Sequence, residues 1–257
     1  MNTDYRKTAL ITGVSRKNSI GYGIARRLAG DGINLVLHSF RAYDLRFFAE
    51  TEIEHPAEIK KSLENKHICI ELIDRDLSDP EAPQEIMQFT LNAFSNCDIL
   101  ILNHTYDTLI ELDDLTAAEI DRHLQVNVRG SLLLIQEFAR RFSRGNGGRL
   151  IILISGQHLG PMPHPAYVAS KGGLHQLIPS LSAALIERGI TVNAVNPGAT
   201  RTYKPEPKLD KAVLGRMPLG RWGTPDDAAR LIRWLVSDEA EWITGQVINS
   251  EGGFRRG

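Results

Sequence analysis

The sequence contains little of what would indicate a disulfide-rich, membrane-spanning or metal-binding protein. Its 257 residues include only two cysteines, Cys69 and Cys97, with no CxxC motif, so both are expected as buried free thiols. The longest apolar runs, such as LIILI at 150–154, are too short to cross a bilayer. The eight histidines show no HExxH motif or paired-ligand spacing, and no metal site is predicted.

Neither sign of charge is in excess. The chain has 30 basic and 31 acidic residues and a formal net charge of −1, which excludes the basic surface of a nucleic-acid-binding protein. The basic ending FRRG is interpreted as a solvated tail, with a binding patch as the alternative. The first residues, MNTDYRKTALIT, lack the long apolar stretch and cleavage site of a signal peptide. We therefore expect a cytoplasmic protein without nucleic-acid or membrane partners.

The sequence does contain short apolar runs that alternate with helical patterns, which predicts an α/β fold. Strands are predicted at 8–12, 33–38, 67–73, 98–103, 149–155, 191–196 and 246–249. Helices are predicted near 20–29, 43–65 with a break at Pro56, 80–95, 116–143, 167–188 and 225–236. Right-handed crossovers would give a Rossmann-type doubly wound parallel seven-stranded sheet with helices on both faces.

The domain organisation follows from the absence of a repeat or linker. With 42% hydrophobic residues, residues 1–257 are predicted to form a single domain. The least regular stretch, 200–217, is predicted as a mobile segment on the substrate side.

A glycine-containing loop, TGVSRKNSIGYGIA at 12–25, follows the first strand and leads into a helix. Glycines at such a turn allow the backbone to approach a pyrophosphate, which then meets free N–H groups at the positive helix end. Gly13, Gly21 and Gly23 do not have the G-x-G-x-x-G spacing. A tight turn with close packing and no ligand is therefore the alternative.

The end of the second strand predicts the choice of cofactor. An NAD enzyme would place an acidic residue near the ribose, whereas this sequence has Ser39 there, within LHSFR. Arg16 and Arg41 could bind a 2′-phosphate instead, which favours NADP(H) over NAD(H). The alternative is that both arginines are ordinary exposed side chains.

The hexapeptide AYVASK at 166–171 places Tyr167 and Lys171 on one helix face. Carbonyl reduction needs a proton donor with a pKa near the working pH, and a free tyrosine is too weak an acid. We expect the Lys171 ammonium to favour the phenolate and so lower the pKa of Tyr167. A solvent-exposed helix face is the alternative.

Together these segments resemble the short-chain dehydrogenase/reductase family, in its compact single-domain branch that includes 3-oxoacyl-(acyl-carrier-protein) reductases. The similarity runs from TALITG at 8–13, through DRDLSD, VNVRG, ISGQ, NPGAT and PLGRWGTPDDAA, to ITGQVINSEGGF at 243–254. The resemblance implies that Asn127 holds a water linked to Lys171, and that Ser155 would bind the substrate oxygen. The predicted catalytic residues are Asn127, Ser155, Tyr167 and Lys171. The predicted cofactor-binding residues are Gly13, Ser15, Arg16, Ser19, Ile20, Gly21, Ser39, Arg41, Asp76, Leu77, Asn103, Tyr167, Lys171, Pro197, Gly198 and Thr200.

Several positions depart from the family pattern. The phosphate loop is two residues longer than usual, with Ser19 where glycine is typical, and is similar to that of enoyl reductases. In those relatives six residues separate tyrosine and lysine, and Leu174 stands at the corresponding position here, which favours carbonyl chemistry. LNHT at 102–105 keeps only Asn103 of the usual Asn-Asn-Ala-Gly. The segment from Ser155 to the catalytic tyrosine is one residue shorter than is common.

The predicted function is NADP(H)-dependent hydride transfer between the nicotinamide and a carbonyl or secondary alcohol. The resemblance implies 3-oxoacyl thioesters as the leading substrate class. Arg201, Lys204 and Lys208 could then contact a phosphopantetheine phosphate or simply form a solvated loop. The alternatives are a catalytically silent NADP(H)-binding sensor and an enoyl-reductase-like enzyme.

The sequence also predicts self-association. The helices at 116–143 and 167–188 have apolar residues on more than one face, which predicts a homodimer or homotetramer. These residues include Leu132, Leu133, Ile135, Leu174, Leu177, Ile178 and Leu181.

Overall fold

Strands and helices alternate along the chain in the computed structural model, which describes residues 5–49 and 53–256. The strands are β1 Thr8–Thr12, β2 Asn34–Ser39, β3 Ile70–Asp74, β4 Ile99–Leu102, β5 Gly148–Leu153, β6 Ile190–Asn196 and β7 Val247–Asn249. The α-helices are α1 Ile20–Gly30, α2 Arg41–Asp44, α3 Pro56–Leu63, α4 Ala82–Phe94, α5 Ala117–His123, α6 Ser131–Arg141, α7 Pro165–Leu185, α8 Pro207–Leu214 and α9 Pro225–Leu235.

The seven strands form one parallel sheet in the order β3-β2-β1-β4-β5-β6-β7. The chain builds outward from β1 to β3 and then returns to place β4 on the other side of β1. Doubly wound sheets form their ligand crevice at this switch point, beyond the carboxyl ends of the strands. The predicted fold class is confirmed.

Alternate residues of each strand point to opposite sides of the sheet, so both faces are apolar. Helices cover both faces and bury these side chains. Leu10 of β1 packs in the core with Phe138, on the face covered by α4, α6 and α7. Its neighbour Ile11 packs with Ile24 and Ile232, on the face covered by α1, α3 and α9. A fully buried side chain of this kind stabilises the fold by about 1.5 to 3 kcal/mol. These two cores fix the strand ends that form the candidate site.

Two helix predictions need correction. The helix predicted at 43–65 is wrong in its middle, because residues 45–48 form turns and a bend, and the next helix among the described residues begins at Pro56. Pro56 begins α3 instead of breaking a helix, since proline has no N–H to lose in a first turn. Pro207 likewise begins α8 within 200–217, the stretch predicted to be irregular. The mobility of that segment stays a prediction.

One of the two cysteine predictions is wrong. Cys97 is a buried thiol as expected, but Cys69 is exposed. Ile68 and Ile70 on either side of Cys69 are buried. Because extended residues alternate between faces, the residue between two buried isoleucines points to solvent.

Features of two other protein classes are absent from residues 5–49 and 53–256. No helix there combines the length and the apolar character needed to span a bilayer. The same residues bring together no group of three or more His, Cys, Asp or Glu side chains that could bind a metal ion.

Candidate active site

A cavity of about 310 Å³ lies at the switch point, at the carboxyl ends of β1, β2, β3 and β4. A larger groove of about 600 Å³ lies elsewhere, between Tyr5 and Trp234, and contains no predicted site residue. The predicted cofactor residues that line the switch-point cavity are Gly13, Ser15, Arg16, Ser19, Ile20, Asp76, Leu77 and Asn103.

The phosphate loop is held close to the end of β4 by Asn103. Its Nδ2 donates hydrogen bonds to the Thr12 and Gly13 carbonyls, at 3.0 and 2.9 Å. Gly13 has a φ of +72°, and a Cβ there would lie 2.9 Å from the His104 Cα. A Cβ at Gly21 would lie 2.7 Å from Asn103 Nδ2. Both glycines are therefore needed for this close approach.

Helix α1 begins directly after the loop and points its amino end at the cavity. Ser19 caps the helix, because its Oγ accepts a hydrogen bond from the Tyr22 N–H at 3.1 Å. The same hydroxyl donates to the Arg16 carbonyl at 2.7 Å, which closes the longer loop onto the helix. Ser19 thus caps the helix where a glycine is usual in the family, and the amino end of a helix favours an anion.

The predicted ribose-phosphate end contains acidic as well as basic groups. Ser39 Oγ and the Arg41 N–H both donate to Asp74 Oδ2, at 3.0 and 2.9 Å. Asp44 lies near Arg16, Arg41 and Asp74, and burial raises the pKa of its carboxyl. Ser39 and Arg41 border a small depression beside the cavity rather than the cavity itself.

Arg16 connects the phosphate loop to the segment after β6. Its Nη1 donates to the Thr202 carbonyl at 2.9 Å, and its guanidinium lies 3.6 Å from the centre of the Phe48 ring. Thr202 and Phe48 also line the cavity. Arg16 therefore holds two covering segments together at the cavity.

Asp76 and Leu77 lie at the opposite side of the cavity. Burial opposes ionisation of Asp76, but hydrogen bonds from Ser78 and Arg122 outweigh it and lower the pKa of its carboxyl. Arg122 Nη2 is 2.7 Å from Asp76 Oδ2. A Cβ at Gly130 would lie 2.7 Å from the Leu77 carbonyl oxygen, so the glycine of VNVRG is required for packing here.

Two buried histidines also line the cavity. His104 Nδ1 lies 2.7 Å from Thr12 Oγ1, and burial lowers the pKa of His104 to about 3, so it is neutral. Burial also lowers the pKa of His38, whose Nε2 faces the Arg75 carbonyl at 2.9 Å. A neutral imidazole in that position has its proton on Nε2. Its Nδ1 is then a buried acceptor that has no hydrogen-bond partner among the described residues.

Asn127 lies in a wider π-helical turn, Leu124–Gly130, between α5 and α6. Such turns are frequent at functional sites. The Tyr106 N–H donates to Asn127 Oδ1 at 2.7 Å, and Asn127 Nδ2 donates to the Tyr106 carbonyl and to Ser170 Oγ, both at 2.9 Å. Both amide N–H groups are thus used within the chain. A bound water would have to use the remaining lone pair of Oδ1.

Ser155, Tyr167 and Lys171 come together at the carboxyl end of β5. Lys171 Nζ donates to the Leu153 carbonyl at 3.0 Å, and Ser155 follows two residues later. Tyr167 lies one turn before Lys171 on α7 and forms a hydrogen bond with Ser155. Ser155 Oγ also lies 3.5 Å from Met162 Sδ.

The expected lowering of the Tyr167 pKa is wrong for the chain without a cofactor. Burial raises the pKa of Tyr167 to about 12, and the hydrogen bond with Ser155 offsets only part of this effect. Burial also lowers the pKa of Lys171 to about 8. The sequence argument omitted the desolvation of both groups and the bond from Lys171 to Leu153.

The NPGAT segment follows β6 and is folded back on itself. Gly198 has a φ of +64°, and a Cβ there would lie 2.9 Å from Glu251. The Gly198 N–H donates to Asn196 Oδ1 at 3.1 Å, and Thr200 Oγ1 donates to the Pro197 carbonyl at 3.2 Å. These residues lead to Thr202 at the cavity.

Some residues of the site were not identified from the sequence. His104 was noticed only as a departure from the family pattern. Tyr106 and Asp107 follow it, and neither belongs to a recognisable motif. Their importance comes from contacts with Asn127 and from the charge of Asp107 beside Tyr167 and Lys171.

The described residues fit a dinucleotide. Gly13 and Gly21 keep the loop free of Cβ atoms, the α1 amino end faces the cavity, and His38 Nδ1 is a buried acceptor that matches an exocyclic amino group. Acidic and amide groups from the ends of β3 and β4 complete the walls.

Known proteins are similar to this chain in sequence and in fold. Residues 13–255 match the family model described as enoyl-(acyl carrier protein) reductase. The chain is 41% identical to the uncharacterised oxidoreductase YjdA of Bacillus subtilis over 260 residues, with 100% of both chains covered. It is 33% identical over 255 residues to the 3-oxoacyl-(acyl-carrier-protein) reductase FabG of Rickettsia typhi, with 96% of each covered.

A solved structure supports the same assignment. A short-chain dehydrogenase from Burkholderia cenocepacia, crystallised in complex with NADP, has a TM-score of 0.84 and 32% identity to this chain. The similarity covers 96% of this chain and 97% of that one. With the parallel sheet and the ordered motifs, these findings show that the chain is an oxidoreductase of the short-chain dehydrogenase/reductase family.

Proposed function

We propose that the protein is an NADP(H)-dependent oxidoreductase that interconverts a carbonyl compound and a secondary alcohol. The observation that supports this most is the convergence of Ser155, Tyr167 and Lys171 at the end of β5. This strand is paired with β4, whose following residues line the switch-point cavity. A hydrogen-bond donor, a proton donor and a cation at such an edge suit carbonyl reduction.

The cofactor would lie along the switch-point cavity. Gly13, Gly21 and the amino end of α1 would hold the pyrophosphate, and Asp76 would meet the adenine. Lys171 would bind the nicotinamide ribose. When bound, the nicotinamide supplies or accepts the hydride.

The chain's own residues would supply the proton. The Tyr167 phenol, which burial keeps protonated, would give its proton to the substrate oxygen. Ser155 would donate a hydrogen bond to the same oxygen. Lys171, with its pKa at about 8, is charged at neutral pH and would stabilise the phenolate that Tyr167 leaves. Asn127 would fix Ser170, the residue before Lys171.

We favour NADP(H) over NAD(H). Arg16 and Arg41 both lie near the end of β2, where no acidic residue ends the strand, and the Burkholderia neighbour was crystallised with NADP. The carboxylates of Asp44 and Asp74 would repel a 2′-phosphate there. The preference for NADP(H) therefore requires that the attraction of both arginines for the phosphate exceeds this repulsion. Replacing Arg41 by alanine should lower the NADPH to NADH ratio of kcat/KM about tenfold. The matched control, Arg26→Ala on the exposed side of α1, should leave the ratio unchanged.

The leading substrate class is a 3-oxoacyl thioester. FabG relatives support it, although the versicolorin reductase of Aspergillus parasiticus is also 33% identical. Arg201, which could have met a phosphopantetheine phosphate, is instead hydrogen-bonded to Asp210. Leu174, at the position where enoyl reductases have their lysine, is buried in the core, which favours carbonyl over enoyl reduction.

The test is NADPH oxidation with acetoacetyl-CoA, with crotonyl-CoA as the enoyl alternative. Wild type should oxidise NADPH with the first thioester only. Tyr167→Phe should retain NADPH binding and lose at least about 100-fold in kcat. Tyr22→Phe, which removes a hydroxyl bonded to Ser62 outside the site, should keep the activity. NADPH binding without turnover over a broad carbonyl panel would favour the sensor.

We also propose a homodimer or homotetramer in the cytoplasm. Leu132 and Leu133 of α6 and Leu177 and Leu181 of α7 are only partly buried, and two free thiols suit a reducing compartment. Light scattering should report an oligomer. A monomer across micromolar concentrations would contradict this proposal.

A further inference from the structure

A carboxylate that the proposed proton transfer does not use lies beside the catalytic side chains. Asp107 follows β4 and acts electrostatically on both Tyr167 and Lys171. Burial has the larger effect on the pKa of each group. The charge of Asp107 raises the pKa of both, as a nearby anion should.

The backbone of Asp107 is fixed from two sides. On one side, the Asn127 side chain forms two hydrogen bonds to the backbone of Tyr106, at 2.7 and 2.9 Å. On the other, the Tyr43 hydroxyl donates to the Asp107 carbonyl and accepts from the Asp107 N–H, both at 3.0 Å. Such support from neighbouring groups gives the carboxylate a defined position.

The carboxylate itself has few hydrogen-bond partners among the described residues. Its Oδ1 accepts a hydrogen bond from the Leu109 N–H at 3.0 Å. Its two nearest imidazole nitrogens are too distant to bond, at 3.7 Å for His164 Nδ1 and 3.9 Å for His123 Nε2. Since an ionised carboxylate accepts about four hydrogen bonds, Asp107 retains acceptor capacity for a ligand.

His164 approaches Asp107 from the loop that leads to Tyr167. It precedes α7 and has a φ of +62°, which a residue with a Cβ rarely adopts. Such backbone conformations concentrate at functional sites. Asp107 and His164 therefore come from the two segments that flank the catalytic groups, one after β4 and the other before α7.

We propose that Asp107 is a specificity-determining residue, which repels substrates with a negative charge beside the reacting carbonyl and accepts a hydrogen bond from a neutral substrate that has a hydroxyl there. The inference rests on the proposed function. Hydroxy-carbonyl compounds can donate that hydrogen bond, neutral 3-oxoacyl compounds avoid the repulsion, and free 3-oxo acids are disfavoured. Repulsion between like charges in a partly solvated site can change a rate about tenfold.

The test compares ethyl acetoacetate with acetoacetate, which share the reacting ketone and differ in the adjacent charge. Wild type should have the higher kcat/KM for the ester. Asp107→Asn should raise the acetoacetate to ester ratio of kcat/KM about tenfold. Asp107→Glu keeps the charge and should keep the wild-type ratio. Asp121→Asn removes an exposed carboxylate of α5 and should also leave the ratio unchanged.

A binding measurement separates this proposal from the proposed function. Titration of both compounds into each variant with NADPH present gives the ratio of dissociation constants even without turnover. A wild type that binds both compounds but oxidises no NADPH contradicts only the proposed function. A ratio that is the same in wild type and Asp107→Asn overturns the role of Asp107. If Asp107→Asn does not fold, an altered ratio in Asp107→Glu overturns it as well.

Discussion

Replacing Lys171 by methionine should stabilise the fold at neutral pH while abolishing catalysis. The Lys171 side chain is buried, and within residues 5–49 and 53–256 its ammonium makes one hydrogen bond, to the Leu153 carbonyl. Burial of the charge lowers its pKa from 10.5 to about 8. Methionine has a similar volume and no charge to desolvate.

The magnitude follows from the shift in pKa. A difference of this size between the unfolded and folded states corresponds to about 3 kcal/mol of unfavourable free energy when the amine is protonated. Losing the hydrogen bond to Leu153 costs about 1 kcal/mol. We therefore expect Lys171→Met to increase the free energy of unfolding by about 2 kcal/mol at pH 7.

The pH dependence has a definite sign. Because the folded pKa lies below the unfolded one, the cost in wild type is fully present below about pH 8 and disappears as the pH rises toward 10.5. The stabilisation by Lys171→Met should therefore be largest at pH 7 and should become small by pH 10.

Urea unfolding at pH 7 and pH 10 measures both effects, together with NADPH oxidation at pH 7. Lys208→Met, on the exposed side of α8, is the matched control and should change stability by less than about 0.5 kcal/mol. A Lys171→Met variant less stable than wild type at pH 7, or one with the same gain at both pH values, would refute the reasoning.

Two further predictions concern stability. His104 binds a proton less readily in the folded than in the unfolded state, so the free energy of unfolding falls as the pH drops from 6.5 toward 3. In urea unfolding, the excess stability of wild type over His104→Ala should shrink by about 2 kcal/mol between pH 7 and pH 5. An excess that stays constant between these pH values would contradict this prediction. Thr224→Ala removes the capping box with Asp227 at the start of α9 and should lower the free energy of unfolding by about 1 kcal/mol, measured by thermal or urea unfolding. Thr224→Ser keeps the hydroxyl and should be nearly neutral. An equal loss of stability in the two variants would argue against the cap.

The sheet could be predicted from the sequence because its interior strands, such as β1 and β4, are short apolar runs buried on both faces. The seven observed strands lie within about three residues of the predicted bounds. The helices were less certain where proline occurs. Pro56 and Pro207 each begin a helix, whereas the sequence argument treated Pro56 as a break and predicted the stretch 200–217, which contains Pro207, to be irregular.

The geometry of the candidate site was predictable where a residue type is tied to local backbone conformation. Gly13 and Gly21 are such cases, since their close approach to the end of β4 excludes a Cβ. The electrostatics were not predictable, because desolvation depends on the whole fold. Tyr167 and Lys171 show this. Burial raises the pKa of Tyr167 and lowers the pKa of Lys171, whereas the sequence argument expected the Lys171 charge to lower the pKa of Tyr167. Asp107 was missed because its role depends on neighbours distant in sequence.

The most direct test of the account uses NADPH with deuterium at both C4 positions and a short 3-oxoacyl thioester. Mass spectrometry of the product should find one deuterium on the new carbinol carbon with wild type. Tyr167→Phe should form little labelled alcohol while still binding NADPH. Unlabelled product, or equal labelled product from the two proteins, would contradict the proposal that the chain reduces a carbonyl with Tyr167 as the proton donor.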